Sequence, residues 1–394
     1  MENKCRGKVS AMESGSTQRT VYRERRQANY ELLRIVAMLM VVTLHYMHSA
    51  DLLLRPDAPV TGLRIAGNFV ESFCICAVNT YVLITGYFLS RSGFRLGRIL
   101  QLILEVYFYA MLIPLLLTLA GTPVAGAGSW DMFYYLLPIS SNHYWFATSY
   151  VILYLFSPLL NAAADRLTRR QLKFTIAFLI VIFCLIKSVC PVHLQTDRYG
   201  YDFGWFLCLY LIAAYIRRYD AGRFATPRRA ALLYFGSSLA TFLLTVALTE
   251  LNHRSLSLIY YATVPFHYNA LLVLTAAIGL FLLFRYVKIP EGGFATAVRK
   301  AAPYTFGVYL IHNHMDVRDR WLPFLKEILG EVPGAVPAML LHMAGCVLAV
   351  FFACLFADWV RSILFAFAAR LISKTKFTEK IRNVDRLFRE ERQP

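Results

Sequence analysis

Apolar residues along this chain gather in long runs separated by short polar stretches. The runs cover residues 32–50, 67–90, 99–120, 144–163, 172–190, 204–216, 230–249, 266–286, 302–315 and 337–360. About 20 helical residues cross a bilayer core, so ten crossings are expected, with the sixth and ninth short. The pattern predicts an all-α polytopic membrane protein, a bundle of about ten transmembrane helices. Composition agrees: 58% of the 394 residues are hydrophobic, only 16% are charged, and mean hydropathy is +0.49. A soluble protein of this length carries more charge and less apolar surface.

A net charge of +17 raises the question of nucleic acid, and the placement of the cations answers it. Of 41 Lys and Arg, 33 lie between the N-terminus and Arg34 inclusive, around the ends of the even-numbered spans, or in the C-terminal tail. Acidic residues divide about evenly between the two sides. This is the positive-inside pattern, and it places both termini in the cytoplasm. The charge therefore implies topology and contact with anionic lipids, not nucleic-acid binding. Residues 1–31 read as a polar, basic cytoplasmic leader rather than a cleavable signal, residues 32–365 as the membrane domain, and residues 366–394 as a basic tail. Within the tail, Phe377, Ile381, Val384 and Phe388 recur at helical spacing, as in an amphipathic helix lying on the inner leaflet. Seven cysteines in or beside the spans have no metal-ligand spacing and read as packing residues, so no metal is expected.

No loop is long enough for a soluble domain, which leaves polar groups at membrane depth as the candidates for chemistry. The first span carries Arg34 and His45. Eleven residues make three turns plus about 20°, so the two share a helix face roughly 16 Å apart along the axis. The plainer readings are that Arg34 snorkels to the surface and His45 hydrogen-bonds a neighbouring helix. After the second span, Arg95 and Arg98 stand three apart at a helix start, where they are placed either to clamp phosphates or to set topology. On the expected outer side, Asn142, His143, Tyr144 and Trp145 introduce the fourth span, where the aromatics also suit an interfacial belt. The ninth segment is short and glycine-containing and holds Tyr309 and His312, with His312 at the depth of His45. Glu71 and Glu105 lie inside spans, and Glu105 reads as the structural partner of a cation.

Together, Arg34…His45, Thr85-Gly86-Tyr87, Arg95-x-x-Arg98, Tyr144-Trp145-Phe146 and Tyr309-Leu310-Ile311-His312 resemble the membrane acyltransferase 3 family over about residues 28–365. Thr85 stands where that family commonly has serine. The resemblance implies transfer of an acyl group, acetyl or succinyl, from cytoplasmic acyl-coenzyme A to a hydroxyl of a cell-surface polysaccharide or lipid-linked glycan. It places the family's catalytic histidine on His45 and its arginines on Arg34, Arg95 and Arg98. Acetyl-coenzyme A is then the expected donor, held at the cytoplasmic mouth by the three arginines, with its thioester near His45 acting as base or as nucleophile. Asn142, Trp145, Tyr309 and His312 are the expected acceptor-side residues. A multi-span transporter or flippase of glycans is the alternative, as is a membrane sensor. Few deep acidic residues are present to couple an ion, which counts against transport.

Overall fold

The computed structural model describes residues 26–390 apart from 126, 127, 129, 142, 191–196, 256, 257, 373 and 374. Every regular element among them is helical. In chain order these are α1 (Ala28–Ser49), α2 (Gly62–Cys74), α3 (Ala77–Leu89), α4 (Leu96–Leu119), α5 (Met132–Leu136), α6 (Trp145–Arg166), α7 (Arg169–Ile180), α8 (Lys187–Val189) and α9 (Phe203–Tyr219). The second half contributes α10 (Pro227–Ser255), α11 (Ile259–Thr263), α12 (Leu271–Tyr286), α13 (Gly293–Ala301), α14 (Thr305–His312), α15 (Trp321–Leu329), α16 (Val336–Ile372) and α17 (Lys376–Glu390).

Eight helical segments among the described residues are long and apolar enough to cross a membrane. They coincide with the expected first to fifth, seventh, eighth and tenth crossings. The sixth and ninth are the shorter α9, of 17 residues, and α14, of eight. Helix α9 buries residues on every face, among them Trp205, Phe206, Leu209, Tyr210 and Ala213. Surrounded by other helices, it needs no lipid-length apolar surface of its own. A break at Pro303 separates α13 from α14, because proline cannot continue the hydrogen-bond ladder. The first helix starts at Ala28, before the expected span boundary, because the polar residues of its first turn find partners. Asn29 Nδ2 donates to the Phe284 carbonyl (3.0 Å), and Glu31 is buried against Arg34.

Two apolar cores fill the bundle. One gathers α3, α6, α9 and α12, and the other gathers α4, α14 and α16. Helix α1 lies between them, giving Tyr30 and Leu33 to the first and Ala37, Met38, Val41 and Val42 to the second. Gly86 shows how closely the first core is packed: a Cβ there would stand 2.9 Å from the Ala213 Cβ and 3.0 Å from the Tyr210 Cα of α9. Only glycine lets α3 and α9 approach so far, which explains the middle residue of the Thr85-Gly86-Tyr87 motif. In the tail, α17 packs against α4, where Asp385 Oδ1 accepts the Leu96 backbone N–H at 2.6 Å. The side chains of Phe377 and Phe388 lie outside the described residues.

Candidate active site

The seam between the two cores holds a cavity of about 410 Å³. On α1 it is lined by Arg34, Met38, Val41 and His45, the face that helical spacing predicts. Val78, Tyr81 and Thr85 of α3 and Gln101, Leu102 and Glu105 of α4 complete its middle. A second cavity of about 200 Å³ adjoins it, with Arg34, Thr85, Leu102 and Tyr150 common to both. The smaller cavity adds Ser92, Arg98 and Tyr154. Both arginine helices therefore line adjoining cavities.

At the arginine end, Arg34 Nη1 lies 3.2 Å from both carboxylate oxygens of Glu31, and Arg26 Nη1 is 3.7 Å from Glu31 Oε2. Glu31 is buried, while Arg98 is exposed to solvent. Arg26 and Arg34 thus share one carboxylate, and with Arg98 lining the adjoining cavity this end keeps an excess of positive charge for an anion. The Tyr81 hydroxyl donates to the Arg34 carbonyl at 2.6 Å and holds this turn of α1 against α3. Arg95 is placed differently from Arg98. It is the extended N-cap of α4 (φ −140°), its backbone pairs with the Tyr154 hydroxyl, and it lines neither cavity. Three-residue spacing puts two residues on one face only when both are helical, and Arg95 is not.

At the other end, His45 Nδ1 lies 2.8 Å from His312 Nε2, and His312 Nδ1 lies 2.5 Å from the Val308 carbonyl. A backbone carbonyl only accepts, so His312 carries its proton on Nδ1 and presents a lone pair from Nε2. The His45 Nδ1–H must then donate to that lone pair, which leaves the lone pair on His45 Nε2 free. His312 is fully buried behind His45 and does not line the cavity. Tyr309 and Trp145 do line it. The Tyr309 hydroxyl is buried without a hydrogen bond among the described residues, with the Asn313 side chain and the Phe146 backbone as its polar neighbours. Asn142 lies outside the described residues.

Around Trp145 the structure gathers two aromatics absent from the sequence-based candidates. Tyr201 and Tyr268 stand with ring centroids 4.5 and 5.8 Å from Trp145 and 4.9 Å from each other, and both line the cavity. A buried polar staple fixes the loops that carry them. Lys187 Nζ donates to Asn269 Oδ1 (2.6 Å) and lies 3.7 Å from Asp197 Oδ2, while Asn79 Nδ2 donates to the Tyr268 carbonyl (2.7 Å). Burial alone would raise the Asp197 carboxyl. The hydrogen bond from Asn269 and the charge of Lys187 outweigh it and hold the group below the usual carboxylate range.

Glu105 does meet a cation, in the form of Arg361 on α16 rather than an arginine of its own helix. Arg361 Nη2 is 3.2 Å from Glu105 Oε1, and Arg361 also binds Asp358 through Nε (2.7 Å) and Nη2 (3.0 Å). The Tyr109 hydroxyl completes the cluster by donating to Asp358 at 2.8 Å. A Cβ on Gly307 would fall 2.1 Å from the Asp358 carboxyl carbon, so the glycine of α14 makes room for this carboxylate. Asp358 lies within the tenth apolar run and Arg361 one residue beyond it. The rule that singled out Arg34 applies equally to both residues. Glu31, with no motif around it, gave no such signal.

A family model described as an acyltransferase domain matches residues 27–366. No curated protein and no solved structure matches the chain.

Proposed function

Because the chain belongs to the acyltransferase 3 family and is a multi-pass membrane acyltransferase, we propose that it moves an acetyl or succinyl group from cytoplasmic acyl-coenzyme A to a hydroxyl of a cell-surface or lipid-linked glycan. The observation that carries this reading is the continuity of the cavity from a cation cluster to a histidine with a free lone pair. In the orientation drawn from the cation bias, the arginine end faces the cytoplasm and the histidine end the outer half of the membrane.

Arg34 and Arg98, with Arg26, take the phosphates of the donor, and Arg95 stands beside them at the start of α4. The roughly 16 Å from Arg34 to His45 is spanned by the flexible arm of the donor. His45 Nε2 takes the proton of the acceptor hydroxyl as its oxygen attacks the thioester carbonyl. The C–S bond breaks, and the thiolate leaves toward the arginine end and takes up a proton there. During attack His45 becomes an imidazolium, and its Nδ1–H bond to His312 gains strength because the donor is now charged. An acylimidazolium formed by attack of the same lone pair would carry the same charge, so the bond to His312 supports His45 in either role. Trp145, Tyr201 and Tyr268 offer the acceptor an aromatic surface, and Tyr309 offers it a hydroxyl free to hydrogen-bond.

Membranes containing the protein, supplied with labelled acyl-coenzyme A, test the reading. Wild type is expected to label a glycan fraction and His45→Ala to leave it unlabelled. Full labelling by His45→Ala overturns the reading.

A further inference from the structure

Between the two ends of the cavity, α1 and α4 present different surfaces. Helix α1 turns the apolar Met38 and Val41 toward the space, whereas α4 turns Gln101 and Glu105, one helical turn apart. Arg98 lines the adjoining cavity three residues before Gln101, so α4 carries a row of Arg98, Gln101 and Glu105 along one face. Arg98 and Arg34 line the same small cavity and mark one depth. Helical rise puts Glu105 about 10 Å further in than Arg98, short of the roughly 16 Å that separates Arg34 from His45.

Gln101 is left without a partner among the described residues, and Glu105 lines the cavity while sharing its counter-ion. Gln101 is exposed and makes no hydrogen bond among the described residues. Glu105 is 92% buried, since only 8% of it is exposed, yet Oε1 accepts no hydrogen bond although Arg361 stands 3.2 Å away. Its counter-ion is shared with Asp358, which takes both well-aligned Arg361 donors.

Taking the donor reading above as its basis, we infer that Gln101 and Glu105 bind the two secondary amides of a pantetheine arm, so that α4 selects donors with amides between phosphate and thioester. The two amide carbonyl carbons of such an arm are four bonds apart, about 5 Å when extended. The rise from Gln101 to Glu105 is about 6 Å. Gln101 both donates and accepts and so satisfies the whole of one amide, and Glu105 accepts the N–H of the deeper one. The apolar Met38 and Val41 opposite face the methylenes between them.

The test compares wild type, Gln101→Leu and Glu105→Met with three donors: acetyl-coenzyme A, S-acetylpantetheine and the amide-free S-acetyl ethanethiol. Each variant is expected to raise KM about tenfold for the first two donors, the size of one lost hydrogen bond. Their kcat, and kcat/KM for the amide-free donor, are expected to stay as in wild type. Glu105→Gln keeps an acceptor for the N–H and is expected to recover most of the loss. An unchanged KM in both variants, or an equal loss with the amide-free donor, overturns the inference while leaving the acyltransfer reading intact. Failure of wild type to use any of the three thioesters overturns the donor reading and this inference with it.

Discussion

The two ends of the central cavity are built on opposite principles. At the arginine end two cations, Arg26 and Arg34, share the Glu31 carboxylate, and a third, Arg98, stands in solvent. At the histidine end a buried ring, His312, backs the half-buried His45, and their protons are ordered by the Val308 carbonyl. A charged, wet site attracts an anion from a distance but fixes it loosely, because water screens it. A dry, neutral chain of hydrogen bonds attracts nothing from afar, yet it holds one lone pair in one direction. On the proposed function, affinity and chemistry fall to separate places along α1.

Four measurements would break or sharpen that contrast. His45→Ala is expected to lower kcat by 10²–10⁴-fold, the usual contribution of a general base. Donor binding measured by titration is expected to stay within about twofold, and a large loss of binding would merge the two ends into one site. His312→Phe keeps a ring behind His45 but removes the acceptor for its Nδ1–H. It is expected to lower kcat by about 10- to 100-fold with KM unchanged, the size found when a metal-bound histidine loses its orienting partner. Wild-type kcat in this variant would deny His312 any part in orienting His45. Arg98→Ala is expected to act the other way, raising the donor KM about tenfold and weakening its salt dependence while kcat stays. A kcat loss there would show that the arginine end also takes part in the chemical step.

The smallest effect concerns the staple behind the aromatic surface. Asp197→Asn is expected to lower the thermal midpoint of the purified protein by a few degrees at neutral pH. The Asp197 carboxyl is held below its ordinary value in the fold, so its stabilisation is present above the unfolded pKa and is lost as pH falls through the folded one. The gap between wild type and variant should therefore close in acid. A gap that persists at low pH would show that shape, not charge, fixes the loop.

Much of the architecture was legible because the hydrocarbon thickness imposes one length on every crossing. Eight of the expected runs are membrane-length helices, and the two expected to be short are α9 and α14. The face shared by Arg34 and His45 was equally legible, since both residues sit on one regular helix and spacing alone sets their angle. Spacing failed for Arg95, which ends up as a non-helical cap, with Asp385 of α17 taking the first N–H of α4. It also gave no view of Tyr201 and Tyr268, which are loop residues and follow no helical period.

By itself, then, the sequence determined what depends on local periodicity and on the membrane: helical class, the length and order of the runs, and which residues of α1 look the same way. Only the tertiary structure decided which groups meet. His45 and His312 are 267 residues apart, and their contact exists because α1 and α14 pack in one core. The Glu105–Arg361 pair depends in the same way on α4 meeting α16. Periodicity acts over a few turns of one helix, whereas a proton's position on His45 is set by a carbonyl on another, and no local rule reaches that far.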